Sequence, residues 1–195
     1  MFGERNSLPK SFYNRSTLIV AKELLGKTIV HQIDKDVLAG KIVETEAYIG
    51  EDDPACHAAR GKTNRTSLMY GPPGFAYIYF IYGMYYCLNA VTEAENFPAA
   101  VLIRAVEPLV GIKKMQQLRG TSNLRNLTTG PGKLCMAFGL DKSQNGVDLY
   151  NSELRIAEGE TIAESEIATT TRIGISAGKD FPWRFYIKRN KFVSV

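Results

Sequence analysis

The chain of 195 residues has few of the residues on which several protein classes depend. Its three cysteines, Cys56, Cys87 and Cys135, are too few and too widely spaced for a disulfide framework or a zinc pattern. A reducing, intracellular compartment is the expectation that follows. There are only two histidines, His31 and His57, and they fall short of a metal set. The opening residues hold no apolar stretch of the signal-peptide kind, so no leader is expected. The longest uncharged apolar run, 75–91, is short, rich in tyrosine and interrupted by Gly83 and Asn89. That argues against a membrane span. Internal repeats, low-complexity tracts, a P-loop, a nucleophile elbow and a dinucleotide glycine fingerprint are all missing.

What remains is ordinary globular material. Hydrophobic residues make up 45% of the chain and charged residues 23%, which excludes disorder, collagen and coiled coil. Lys and Arg number 24 against 20 Asp and Glu, a net +4 that admits an anionic partner without demanding one. No Gly/Ser/Pro-rich linker divides the sequence, so 1–195 reads as one domain.

Local patterns predict the elements. Ser16 can cap a helix over 17–25 that Gly26 ends. Strands are predicted over 27–33 and 37–48, with Asp34-Lys35-Asp36 as the turn. Residues 49–74 read as a long loop, of a length that is often functional. The segments 75–81 and 84–91 form a hairpin turning at Tyr82-Gly83, and 99–106 is a core strand. Pro108 precedes a helix over 110–118, and Gly130-Pro131-Gly132 leads into another over 133–138. Strands follow at 154–157, 169–175 and 184–187. The expected class is α+β: one compact domain with a largely antiparallel, curved sheet, surrounding helices and a protruding aromatic-tipped hairpin.

Several residues could carry chemistry. Glu44 and Glu46 lie two apart on a strand and so share a face. Buried, they would repel each other, a device that tunes acid/base groups; the same spacing fits a solvated acidic face. Tyr77, Tyr79, Tyr82, Tyr85 and Tyr86 crowd one hairpin. They suit a base-stacking platform or an aromatic core strand, but Tyr82, at the tip, is a poor choice for a merely exposed turn. His57 lies in the long loop as an acid, a ligand or a stacking ring, whereas His31 has a packed or edge role. Arg104 interrupts an apolar run and needs an anionic partner, Glu46 or Glu107 being the natural choices. Gly130-Pro131-Gly132-Lys133 offers backbone N–H groups beside a lysine, which suits a phosphate or an ordinary helix cap.

Taken together, these motifs resemble the alkyladenine (3-methyladenine) DNA glycosylases. The resemblance rests on the blocks Val43-Glu44-Thr45-Glu46-Ala47-Tyr48, Asp53 through His57, Tyr77 through Met84 with Asn89, Ala100 through Ala105 with Glu107-Pro108, and Gly130 through Cys135. Arg172-Ile173-Gly174-Ile175 and the stretch 182–187 extend it, so that it runs from about Leu8 to the end of the chain. One departure is Thr66, which follows Arg65 where family members often carry asparagine.

The resemblance implies roles residue by residue. Glu46 would be the general base that takes a proton from water, and Arg104, with the backbone carbonyl of Ile175, would help hold that water. Tyr48, His57 and Tyr79 would wall a pocket for an everted purine, and Asn89 would exclude guanine by crowding its exocyclic amine. Tyr82 would enter the duplex where the base has left, while Arg65, Met84 and Lys133 would touch DNA. It implies no metal and no cofactor, damaged double-stranded DNA as the partner, no membrane, a monomer, and a cytoplasmic or nucleoid-associated place in a bacterium. Three rivals remain from the residues alone. One is a non-catalytic nucleic-acid-binding domain; another is a metal-dependent hydrolase using His57, His31 and carboxylates. The third is a sugar-active glycosidase using Glu44 and Glu46, whose shared strand face fits poorly with carboxylates that must flank a bond.

Overall fold

The computed structural model of the chain describes residues 6–194. Two short helices, α1 (Lys10–Tyr13) and α2 (Thr17–Glu23), precede the strands β1 (Thr28–Ile33) and β2 (Asp36–Ile49). Then come β3 (Ala76–Ile81), β4 (Tyr85–Val91), β5 (Ala99–Val110), α3 (Ile112–Arg119) and α4 (Pro131–Ala137). The strands β6 (Leu154–Ala157), β7 (Ile167–Thr170) and β8 (Arg184–Ile187) complete the fold. All pair antiparallel in one eight-stranded sheet ordered β3-β4-β5-β2-β1-β6, with β8 joining β2 and β7 joining β8. The α+β class is thus observed.

The 14-residue β2 is the hub of the sheet. It pairs with β5 along most of one side. On its other side β1 covers Asp36 to Lys41, and β8 takes over at Glu44 to Glu46. Apolar side chains of the sheet pack with Val20, Met115 and Leu134 from the helices, and with the C-cap residues Leu24 and Phe138, into the main core. A smaller cluster forms where the 49–74 loop folds over β3 and β4, through Cys56, Ala58, Met69, Tyr70 and Tyr77. This loop contains only two 3₁₀ turns, His57–Arg60 and Ser67–Tyr70.

Four local expectations need correction. Ser16 starts α2, but its side chain makes no capping bond; the Thr17 N–H donates instead to Glu93 Oε1 at 2.6 Å. β5 continues through Pro108, because a register break opposite Ala39 and Gly40 tolerates a residue without an N–H, and the helix starts only at Ile112. The hairpin loop has three residues, since Ile81 opposes Tyr85. Finally, β7 ends at Thr170 and residues 171–178 leave the sheet, because Arg172 is drawn into a buried ion pair with Asp53.

Candidate active site

The shared face of Glu44 and Glu46 is buried, not solvated: both residues are 0% exposed. Irregular pairing explains how Arg104 meets them. Along β2 and β5 the register runs Ile42↔Val106, Glu44↔Ala105 and Thr45↔Ile103, which leaves Val43 and Arg104 without opposed partners. A bulge of this kind re-aims a side chain. Arg104 Nε donates to Glu44 Oε1 at 3.1 Å and Nη1 to Glu46 Oε2 at 3.3 Å. Its partners are therefore the two strand carboxylates; Glu107, the other expected candidate, pairs with Lys41 at 3.2 Å. Burial pulls the Arg104 guanidinium down, but Glu46 and Glu44 outweigh it and hold Arg104 above its usual value.

Glu46 receives two more hydrogen bonds. The Tyr48 hydroxyl donates to Oε2 at 2.9 Å, and the Ile173 N–H donates to Oε1 at 2.8 Å. Burial, then the Glu46 charge, push the Tyr48 hydroxyl far above the ordinary phenol range, so it stays a donor. All three donors to Glu46 line a cavity of about 410 Å³, a volume typical of small-ligand sites. Glu46 lies directly behind that wall.

His57, Tyr79, Asn89, Tyr82 and Ile175 line the same cavity. His57 Nδ1 lies 2.9 Å from the Tyr77 hydroxyl, and its ring meets Tyr79 edge-on at 4.4 Å. Burial, reinforced by the Arg65 charge, lowers His57 to about 4, so the imidazole is neutral near pH 7. Asn89 is buried, and its amide donates to the Tyr77 carbonyl at 3.0 Å. Cys87 also lines the cavity, and burial raises it, so it presents a thiol instead of a thiolate nucleophile. His31 packs inside the fold, with Nδ1 2.7 Å from the Phe138 carbonyl. Among the described residues no cluster of three or more His, Cys, Asp or Glu could hold a metal ion.

The three expected DNA-contacting residues lie outside the cavity. Met84, 62% exposed, sits beside Tyr82 in the hairpin loop. Arg65 is exposed on the long loop, with its guanidinium 5.3 Å from the Tyr79 ring centre. Lys133 stands in the first turn of α4, bonds the Asn126 side chain, and lines a second, basic hollow with Arg125 and Lys191. Thr66 is buried, and its hydroxyl knits the long loop to Thr63 and Gly61.

Sequence reasoning assigns no role to the two residues that hold the wall in place, Arg172 and Asp53, although both stand in the blocks that carry the resemblance. Arg172 forms a two-pronged pair with Asp53, at 2.6 and 2.8 Å, entirely out of solvent. Its guanidinium also lies 4.7 Å from the Tyr48 ring centre and 5.1 Å from that of Trp183. This pair fixes the start of the 171–178 segment, and so aims the Ile173 N–H at Glu46. This N–H contact of Ile173 is not among the expected ones; Ile175 lines the cavity two residues further on. Asp53 and Arg172 are 119 positions apart, and no local spacing signals the pairing.

A buried carboxylate is thus held by a guanidinium, a tyrosine hydroxyl and a backbone N–H at the wall of a cavity lined with aromatic rings. The sequence profile described as methylpurine-DNA glycosylase (MPG) matches residues 11–191. A protein of Carboxydothermus hydrogenoformans, named "Putative 3-methyladenine DNA glycosylase", is 54% identical over 188 residues, covering 96% of this chain and 98% of its own. Proteins of the same name from Alkaliphilus oremlandii and Methanocella arvoryzae are each 50% identical, over 96% of this chain and 98% and 95% of their own lengths. The chain belongs to the methylpurine-DNA glycosylase family, DNA-repair hydrolases acting on N-glycosyl bonds.

Proposed function

We propose that residues 1–195 form one glycosylase domain. It extrudes alkylated or deaminated purines from duplex DNA and hydrolyses their N-glycosidic bond with an activated water. The observation that carries this reading is the placement of Glu46 behind the cavity wall. A carboxylate offers about four acceptor positions, and Glu46 has three donors on it. The fourth, on Oε1, suits a water, which Glu46 would deprotonate as it attacks the sugar. The same negative charge would stabilise the oxocarbenium that develops there.

The aromatic rings at the cavity wall suit a purine taken out of the stack, and least work is needed when its pairing is already damaged. A cationic base such as 3-methyladenine or 7-methylguanine leaves without a proton, and electron-rich rings attract it. The neutral imidazole of His57 does not repel it. Hypoxanthine and ethenoadenine are neutral and need a proton on leaving. With no acid placed for that step, they are the slower substrates. Asn89 acts against guanine at the cavity wall. Tyr82 enters the gap left in the stack, with Met84 beside it, while Arg65 and the hollow around Lys133 meet backbone phosphates.

Among the described residues no lysine lines the cavity, which supports water as the attacking group and a monofunctional reaction. The protein acts as a monomer without metal or cofactor, in the compartment that holds the DNA; no helix among the described residues is long and apolar enough to cross a membrane. The test is incubation with alkylated duplex DNA in EDTA, followed by denaturing electrophoresis and borohydride trapping. Free methylated purine with an intact abasic strand is expected. A borohydride-trapped protein–DNA adduct contradicts the monofunctional route, and absence of base release contradicts the glycosylase reading.

A further inference from the structure

Behind Glu46 the buried charges continue away from the cavity. Glu44 accepts four hydrogen bonds: from Arg104 Nε at 3.1 Å, Arg184 Nε at 2.7 Å, the Ser194 hydroxyl at 2.9 Å and the Ser194 N–H at 2.6 Å. Ser194 is tied in twice more. Its hydroxyl accepts from Arg104 Nη2 at 3.3 Å, and its carbonyl accepts from Arg184 Nη2 at 3.1 Å. Two of the three Arg104 nitrogens are thus held from behind, and Nη1 alone is turned to Glu46.

We propose that Glu44, Arg184 and Ser194 form a positioning clamp that sets the Arg104 guanidinium for the chemistry at Glu46. This rests on the glycosylase reading above. A guanidinium is a rigid plane on a flexible stem; fixing Nε and Nη2 fixes the direction in which Nη1 points. The clamp also balances charge. Arg104 and Arg184 face Glu44 and Glu46, so the carboxylate that must steady a developing cation is not swamped by two guanidiniums. Buried ion clusters are weak contributors to stability compared with apolar packing, so the value of this one lies in geometry. None of the three clamp residues lines the cavity. They are positioning residues, and Ser194 acts on the reaction only through Arg104 and Glu44.

The test compares wild type, Ser194→Ala and Ser194→Thr in single-turnover release of methylated purine from duplex DNA. Thermal unfolding and affinity for abasic duplex are followed in parallel. Loss of a hydrogen bond to a charged group predicts that Ser194→Ala excises on the order of ten-fold more slowly, with abasic-DNA affinity retained. Ser194→Thr keeps both the hydroxyl and the N–H and restores the rate. Should Ser194→Ala fail to fold, Ser194→Cys, of similar volume with a weaker donor, takes its place with the same expectation. Excision at the wild-type rate by the folded variant, or a slow rate that threonine does not restore, overturns the clamp while leaving the glycosylase reading intact. Failure of wild type itself to release base overturns both.

Discussion

His57 is the residue whose titration most directly reports the cavity. Burial, then Arg65, bring it from 6.5 to about 4. Between those values the unfolded chain binds a proton that the folded chain refuses. The stability tied to the neutral ring is therefore fully present above pH 6.5 and is lost as pH falls toward 4. His57→Phe should flatten the decline of unfolding temperature across that window, removing on the order of 2 kcal/mol of its pH dependence. A decline as steep as that of wild type would mean that His57 is solvated. The sequence placed Glu44 and Glu46 on one face, but their division of labour could not be read there. Glu44 becomes an anchor through Arg184 and Ser194, 140 and 150 positions away. Glu46 faces the cavity wall through Ile173, 127 positions away. Spacing along a strand reports a shared face, not what long-range contacts bring to it.

Among the elements, the β3–β4 hairpin makes the clearest claim. Tyr82 and Gly83 both have positive φ, 54° and 68°. A tyrosine is held in that backbone region at some strain, and its ring is left 76% exposed. Phe80 and Met84, also exposed, add apolar area at the same tip. An apolar tip beside a cavity mouth suits insertion into a duplex. Tyr82→Ser should weaken binding to damaged duplex several-fold and slow excision, while leaving the unfolding temperature close to that of wild type. Unchanged duplex affinity would remove Tyr82 from the wedge. The hairpin, β1, β2, β6 and β8 were legible because their alternation and turn residues are local signals. The end of β5 and the extent of β7 were not, since a register break carries one past Pro108 and the Arg172–Asp53 pair pulls the other's continuation out of the sheet.

At the scale of the whole molecule, one long strand organises both fold and site. β2 changes its outer neighbour from β1 to β8 just where Glu44 and Glu46 stand. This brings Arg184 to one flank, while β5 brings Arg104 to the other. The 49–74 loop then closes over the far end of the sheet and supplies His57 and Asp53. The α+β class followed from the mixture of periodicities, whereas the strand order did not, because it depends on which distant edges meet. The first turn of α4 serves both hollows: Pro131 and Gly132 line the aromatic cavity, and Lys133 lines the basic hollow with Arg125 and Lys191. On the proposed reading, phosphate contact and base contact would lie side by side, and one molecule would grip the backbone while holding the extruded base.

The most direct test of the account is single-turnover release of free methylated purine from alkylated duplex DNA, in EDTA, by wild type and Glu46→Gln in parallel, with abasic-duplex binding measured for both. Release by wild type, a loss of about 10²–10⁴-fold in Glu46→Gln, and binding retained in each are the expected results. Excision by Glu46→Gln at the wild-type rate would contradict the assignment of the base. Binding by both proteins with release by neither would contradict the enzyme and leave a DNA-binding fold.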